Sequence, residues 1–69
     1  MNQFNQGRFS LKDFMFSANL KEFSQRINYV CLLLAYGEMS SEQAEQEIES
    51  LYQQLQHSAV TLGIKKSEF

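Results

Sequence analysis

The sequence lacks proline and tryptophan, and its 69 residues include only one cysteine, one histidine and three glycines. With the single thiol of Cys31, no disulfide can form within the chain. Cys31 and His57 together also fall short of the ligand set of a structural zinc site. A domain of about this size buries only about 60% of the surface of its unfolded chain. We therefore expect oligomerisation, or docking on a larger partner, to complete the core.

Signatures of catalysis and of cofactor binding are also missing. The chain has no glycine-rich phosphate loop, no Ser/His/Asp arrangement and no Glu-x-x-His pair for a metal. If the chain were a DNA-binding helix-turn-helix protein, the acidic segment SSEQAEQEIESLYQQLQ would be its recognition helix. The DNA phosphates would repel this segment, so the sequence disfavours DNA binding. We therefore expect no enzyme, no cofactor, no metal and no nucleic-acid partner.

Targeting and membrane-spanning segments are not predicted either. The first ten residues lack the basic region and apolar run of a secretory signal. The segment YVCLLLAY is far shorter than the roughly 20 apolar residues of a membrane-spanning helix. We expect a cytoplasmic protein, with peripheral contact with a membrane surface left open.

What the sequence does contain is helical periodicity. An apolar stripe with steps of three and four predicts a first helix at about residues 17–36, ended by Gly37. The stretch GEMSSEQA predicts the start of a second helix, with Ser40 or Ser41 as the cap and Gln43 as its capping-box partner. Gly63 marks the end of that helix. The short connection predicts an all-α fold, an antiparallel helical hairpin over residues 17–64 followed by a tail at 65–69.

The apolar segment YVCLLLAYG predicts self-association. It carries apolar groups on all sides of the first helix, and a helix that is apolar all round is buried all round. Two helices cannot cover that surface, so we expect two hairpins to form a four-helix bundle or a hairpin to dock on another protein. Cys31 is expected to be a buried small hydrophobe within it. The residues predicted to mediate self-association are Ile27, Val30, Leu33 and Leu34.

Residues 1–16 are predicted to be an N-terminal arm. Ser10 can cap a short helix near residues 11–16, with Asp13 at its third position. The arm is rich in phenylalanine, which either packs over the open end of the bundle or contacts a partner. The phenylalanines concerned are Phe4, Phe9, Phe14 and Phe16.

Acidic residues without intervening cations mark the second helix. They lie near its N-terminus, where the helix dipole favours negative charge, so a solvated face is one interpretation. The other is an acidic docking patch for a basic partner. The residues predicted for that patch are Glu42, Glu45 and Glu49.

One set of residues forms a recurring pattern along both predicted helices: Asn19, Leu20, Glu22, Phe23, Gln25, Arg26, Tyr29, Cys31, Gly37, Ser40, Glu42, Leu62, Gly63 and Ile64. In this pattern the chain resembles a family of short cyanobacterial proteins of unknown function. The likeness runs over about residues 7–64 and departs at Tyr52, where the family has tryptophan. The blocks EFSQR, MSSEQA and LYQQ are also similar to those of the NblA family, phycobilisome degradation proteins that are dimers of helical hairpins. That resemblance implies a protein-binding adaptor.

Together these features lead to a non-enzymatic, homodimeric adaptor, regulator or assembly factor, linked to the photosynthetic apparatus and its thylakoid surface. The alternative is a small structural subunit of a larger membrane-associated complex, held by its Phe-rich arm. A third hypothesis, a membrane-surface binder acting through FSLKDFMF, is weakened by the few cations of that segment.

Overall fold

The structure is a computed structural model that describes residues 9–66, and over this range the chain forms two α-helices and no strand. Helix α1 spans Leu11–Ala35 and helix α2 spans Ser41–Thr61. The two helices pack against each other, so the prediction of an all-α helical hairpin is confirmed. Phe4 and the rest of residues 1–8 lie outside the described residues, as do residues 67–69.

Helix α1 begins at Leu11 rather than at residue 17, and the predicted short helix at 11–16 forms its first turns. The Ser10 side chain accepts a hydrogen bond from the Asp13 N–H at 3.2 Å, which confirms the predicted N-cap. No proline or glycine follows to interrupt the helix. The sequence suggested a boundary at residue 16 because the apolar stripe starts there. That stripe marks where α1 packs on α2, not where the helix begins.

Helix α1 ends at Ala35 with Tyr36 as its C-cap, and Gly37 follows as the predicted glycine that closes the helix. The Glu38 N–H donates to the Leu33 carbonyl at 2.8 Å and the Gly37 N–H donates to the Leu34 carbonyl at 3.1 Å, which is the Schellman pattern. Gly37 has a φ of +74°, in the left-handed region that glycine adopts without a Cβ penalty. The same pair of bonds closes α2, where Gly63 has a φ of +76°.

Replacing Gly37 with alanine is expected to destabilise the hairpin by about 1 kcal/mol, because an L-residue pays for the left-handed conformation. No atom lies within 4 Å of the added Cβ, so this backbone cost acts without a clash. Asparagine tolerates that conformation better and should cost less. Denaturant unfolding of both variants measures the difference. A Gly37→Ala variant as stable as the original protein would contradict the prediction.

Helix α2 starts with the predicted capping box. The Ser40 Oγ accepts from the Gln43 N–H at 3.1 Å, and the Gln43 Oε1 accepts from the Ser40 N–H at 2.9 Å. Glu42 lies in the first turn, where the helix dipole stabilises a carboxylate. Ser40, rather than Ser41, is therefore the residue that caps the helix.

The core between the helices is small. Its buried side chains, 4–7% exposed, are Val30, Ala44, Leu51 and Ala59. The Asn19 Nδ2 donates to the Ser58 Oγ, which joins α1 to α2 far from the connecting turn. Alanine lets the two helices approach closely but buries little area. Much of the apolar surface is therefore left open to solvent.

Candidate interaction surfaces

The hairpin has two long grooves, one on each side of the line along which the helices touch. On α1 this line runs through Phe23 and Val30. Residues three or four positions from that line lie on its flanks, because an α-helix has 3.6 residues per turn. Asn19 and Arg26 flank it on one side, and Leu20 and Ile27 flank it on the other. The two sides differ sharply in chemistry.

The polar groove contains a pocket of about 190 Å³. The pocket is lined by Asn19, Glu22, Phe23, Arg26, Leu51, Gln54, Leu55 and Ser58. On its rim, Arg26 Nε and one terminal guanidinium nitrogen donate to the Glu22 Oε2 at 3.2 and 3.0 Å. Pockets that hold cofactors or drug-sized ligands measure about 300–1,000 Å³. This pocket is smaller, and its rim carries polar groups that are exposed to solvent.

The apolar groove lies on the opposite side. It is defined here by Leu20, Ile27 and Leu34 of α1 with Ile48 and Tyr52 of α2. Leu20, Leu34, Ile48 and Tyr52 are 42, 40, 41 and 53% exposed, and Ile27 is half-buried. Apolar side chains of both helices also line the pocket of the polar groove, through Phe23 and Leu51. The apolar groove differs in that large apolar side chains on both of its helices remain exposed to solvent.

The predicted self-association residues do not all lie together. Ile27 and Leu34 line the apolar groove, whereas Val30 is 4% exposed and belongs to the core of the hairpin itself. Leu33, three residues after Val30, flanks the core on the polar-groove side and is half-buried. Ile27 and Leu34 therefore keep solvent-exposed surface, whereas Val30 keeps almost none.

The sequence analysis missed three residues of the apolar groove: Leu20, Ile48 and Tyr52. Leu20 and Ile48 belong to the apolar stripes of the two helices, and such a stripe is expected to pack against the other helix. Spacing does point to them, since Leu20, Ile27 and Leu34 repeat every seven residues. The spacing cannot show how closely α1 and α2 approach at Ala44 and Ala59. Because of that close approach, the row of Leu20, Ile27 and Leu34 lies beside the contact between the helices.

The apolar segment YVCLLLAYG has apolar groups on all sides of α1, yet the single hairpin does not bury them all. Tyr29, Leu32 and Tyr36 point away from α2 and are 63, 46 and 78% exposed. Cys31, expected to be buried, is exposed in the single chain. It lies four residues after Ile27 and three before Leu34, at the edge of the apolar groove. The prediction that Cys31 is a buried residue is therefore wrong for the hairpin that the structure describes, because α2 does not cover this side of α1.

The N-terminal phenylalanines separate into two groups. Phe16 is half-buried against the hairpin, whereas Phe9 and Phe14 are 76 and 61% exposed. The rings of Phe9 and Phe14 contact each other, with centroids 6.0 Å apart and tilted by 43°. Leu11 is 61% exposed beside them. Phe9, Leu11 and Phe14 form the exposed N-terminal cluster, at the end of α1 far from the connecting turn.

The predicted acidic residues are all exposed. Glu42, Glu45 and Glu49 follow each other at steps of three and four and therefore share one side of α2. Within residues 9–66, no group of three or more His, Cys, Asp or Glu side chains is placed to hold a metal ion. The exposed His57 is near the C-terminal end of α2, apart from this row. The row is thus a surface charge feature.

These features define a small helical-hairpin protein with exposed apolar side chains on its surface. Residues 9–69 match a family model described as a family of unknown function, DUF7219, and the chain belongs to this family. The match includes both helices, as the resemblance to a family of unknown function predicted. No curated protein and no solved structure matches the chain. In the described part of the chain, neither helix is long and apolar enough to cross a membrane.

Proposed function

We propose that this protein is a non-enzymatic homodimer that binds another protein as an adaptor, regulator or assembly factor. The observation that carries the proposal is the apolar groove, in which Leu20, Leu34, Ile48 and Tyr52 remain 40–53% exposed. A chain with so small a core gains stability when such a groove is covered. A second hairpin laid on the groove gives a four-helix bundle with one continuous core.

The partner contacts the exposed N-terminal cluster. Phe9, Leu11 and Phe14 project from the end of α1, beyond the part that α2 covers, so they stay accessible when two hairpins associate. Aromatic side chains contribute much of the binding energy of protein interfaces. Phe4, which the sequence analysis assigned to the same arm, lies outside the described residues. The row Glu42, Glu45 and Glu49 is the second candidate surface and suits a basic partner.

The proposal further assigns this activity to the photosynthetic apparatus, in the cytoplasm near the thylakoid surface, and it is the resemblance of the sequence to short cyanobacterial proteins and to the NblA family that supports this assignment. In this proposal the hairpin carries no chemistry of its own. Its mechanism is to hold a partner through one end of a dimeric bundle. The alternative is a structural subunit of a membrane-associated complex, which is favoured by the large exposure of Phe9 at 76%.

The test combines a mass measurement with a capture experiment. Analytical ultracentrifugation of the purified full chain should give twice the chain mass of 8.0 kDa. Tagged protein is then exposed to a lysate of its source cells, beside a Phe9→Ser/Phe14→Ser variant. The matched control is Tyr36→Ser, because Tyr36 is 78% exposed but lies at the other end of α1. An adaptor retains one stoichiometric partner in the control and loses it in the double variant. A chain that aggregates or stays partly unfolded when alone would favour the structural subunit.

Cys31 provides an independent check of self-association. Its thiol is exposed in the single hairpin at the edge of the apolar groove, so a second hairpin on that groove would cover it. We expect its alkylation by a maleimide to slow as protein concentration rises through the dimer dissociation constant. A rate that is independent of concentration, in a sample shown to be dimeric, would place the interface elsewhere.

A further inference from the structure

The two ends of the hairpin carry opposite charge. The hydrogen bond between Asn19 and Ser58 shows which residues lie level with each other on α1 and α2. Residues 9–21 and 56–66 form the open half, which contains the start of α1 and the end of α2, and residues 22–55 form the turn half. Among the described residues, the open half contains four lysines and one aspartate, whereas the turn half contains one arginine and six glutamates. The open half is therefore positive and the turn half is negative.

The open half also carries the exposed N-terminal cluster. Phe14 and Met15 lie three and four positions after Leu11, so the three side chains share one side of α1. Met15 is 44% exposed, and the ring of Phe9 contacts the ring of Phe14. Ile64 follows the end of α2 and is 41% exposed. The exposed apolar surface of the open half therefore comes from both helices.

Exposed lysines flank this apolar surface. Lys12 directly follows Leu11, and Lys65 and Lys66 directly follow Ile64. The Lys65 ammonium donates to the neutral Gln56 side chain, which leaves its charge uncompensated there. Within the sequence, the segment FSLKDFMF alone has few cations for binding at a membrane surface. The fold removes this objection, since it brings two further lysines from the end of α2 to the same half of the hairpin.

Apolar side chains flanked by lysines are the combination that binds the surface of an anionic lipid bilayer. The apolar groups enter the boundary between headgroups and acyl chains, and the lysine ammonium groups stay at the level of the phosphates. A flat surface can contact the ends of both helices at once. A protein groove that accepts the first turns of α1 would leave Lys65 and Lys66 without an acceptor. The arrangement therefore favours a lipid surface over a protein groove.

We propose that the open half binds anionic lipid bilayers, with the exposed N-terminal cluster inserted among the headgroups and Lys12, Lys65 and Lys66 at their phosphates. The same surface repels the six glutamates of the turn half, so the connecting turn points away from the bilayer. This inference goes beyond the proposed function, because it gives the cluster to a lipid surface and leaves the acidic row of α2 for the protein partner. It holds for a monomer and for a dimer.

Vesicle binding tests the inference with the full chain. The protein is sedimented with vesicles of equimolar phosphatidylcholine and phosphatidylglycerol, and with vesicles of phosphatidylcholine alone. We expect binding to the neutral vesicles to be about 100-fold weaker, at about fivefold for each of three lysines. Phe9→Ser/Phe14→Ser should abolish binding to both. Tyr36→Ser is the matched control, because Tyr36 is 78% exposed but lies in the turn half.

A second pair of variants separates local charge from net charge. Lys66→Gln and Arg26→Gln each remove one positive charge, the first from the open half and the second from the turn half. Arg26 lies about 21 Å along α1 from Lys12, at a rise of about 1.5 Å per residue. That distance is about twice the screening length at about 0.1 M salt. We expect Lys66→Gln to weaken binding about fivefold and Arg26→Gln to change it little. Equal losses would mean that net charge governs binding, which contradicts the inference.

The orientation on the bilayer is read from fluorescence, because the chain has no tryptophan. Phe14→Trp places a single reporter in the exposed N-terminal cluster, and Tyr36→Trp places one in the turn half. Anionic vesicles should shift the emission of the Phe14→Trp variant to shorter wavelength and leave that of the Tyr36→Trp variant unchanged. A shift in the Tyr36→Trp variant alone would mean that the turn half faces the bilayer, and would overturn the inference.

The outcomes separate this inference from the proposed function. Binding to anionic vesicles that depends on Phe9, Phe14 and Lys66 supports it, whether the chain sediments as a monomer or as a dimer. A folded full chain that does not bind anionic vesicles overturns it. If that same chain loses a captured protein when Phe9 and Phe14 are replaced, the cluster is a protein contact, as in the proposed function. Circular dichroism of each variant confirms that the hairpin has kept its helices.

Discussion

Replacing Leu34 with aspartate is expected to turn the dimer into a monomer. Leu34 lines the apolar groove and is 40% exposed in the single hairpin, so its remaining surface is available to a second copy. A carboxylate buried there without a partner opposes association strongly. We expect the dissociation constant to rise at least about 100-fold, which corresponds to about 2.8 kcal/mol at about 1.4 kcal/mol per factor of ten. Sedimentation equilibrium over a concentration series measures it.

Leu32→Asp is the matched control. Leu32 is 46% exposed, lies two residues before Leu34 and points away from both grooves. Both substitutions place a negative charge near the C-terminal end of α1, where the helix dipole disfavours it by about 0.3–1 kcal/mol. The two variants therefore share this electrostatic cost, and only Leu34→Asp also places a charge in the apolar groove. If both stay dimeric, or both become monomeric, the apolar groove is not the interface between copies.

Local signals in the sequence predicted the ends of the helices well. Ser10, Ser40 and the two glycines Gly37 and Gly63 act through hydrogen bonds and backbone angles within a few residues of themselves, so their effect can be read from a short stretch. The predicted division between a short helix at 11–16 and a longer helix from residue 17 is the exception. Residue 17 was predicted as a helix start because the apolar stripe begins there. A stripe shows which side chains are buried, whereas the helix itself extends back to its cap at Ser10.

The interaction surface was harder to predict because it depends on how closely two helices approach. The sequence identifies Val30 and Leu34 as members of one stripe, and both are apolar. In the hairpin Val30 is 4% exposed and Leu34 is 40% exposed. Val30 lies on the line along which α1 and α2 touch, whereas Leu34, one turn further on, lies beside that line. No pattern within α1 alone carries that information.

Replacing Leu51 with alanine is expected to unfold most of the isolated hairpin. Leu51 is 4% exposed, and of the buried side chains of the described residues it is the largest, beside Val30, Ala44 and Ala59. Loss of a buried leucine side chain costs about 2–5 kcal/mol. A core in so small a domain supplies about 3–5 kcal/mol at most, so this one substitution removes much or all of the margin. Far-ultraviolet circular dichroism in dilute solution should show loss of helix.

The same variant also separates the stability of the hairpin from that of the dimer. Because association stabilises the folded chain by mass action, helix content should recover as the concentration of Leu51→Ala rises. Leu32→Ala is the control, since Leu32 lies outside the core and its loss should change the unfolding free energy by about 0.5 kcal/mol or less. Should Leu51→Ala melt like the original protein at every concentration, the seam between α1 and α2 would not be the core. Recovery at high concentration would instead mean that the two hairpins complete each other's fold.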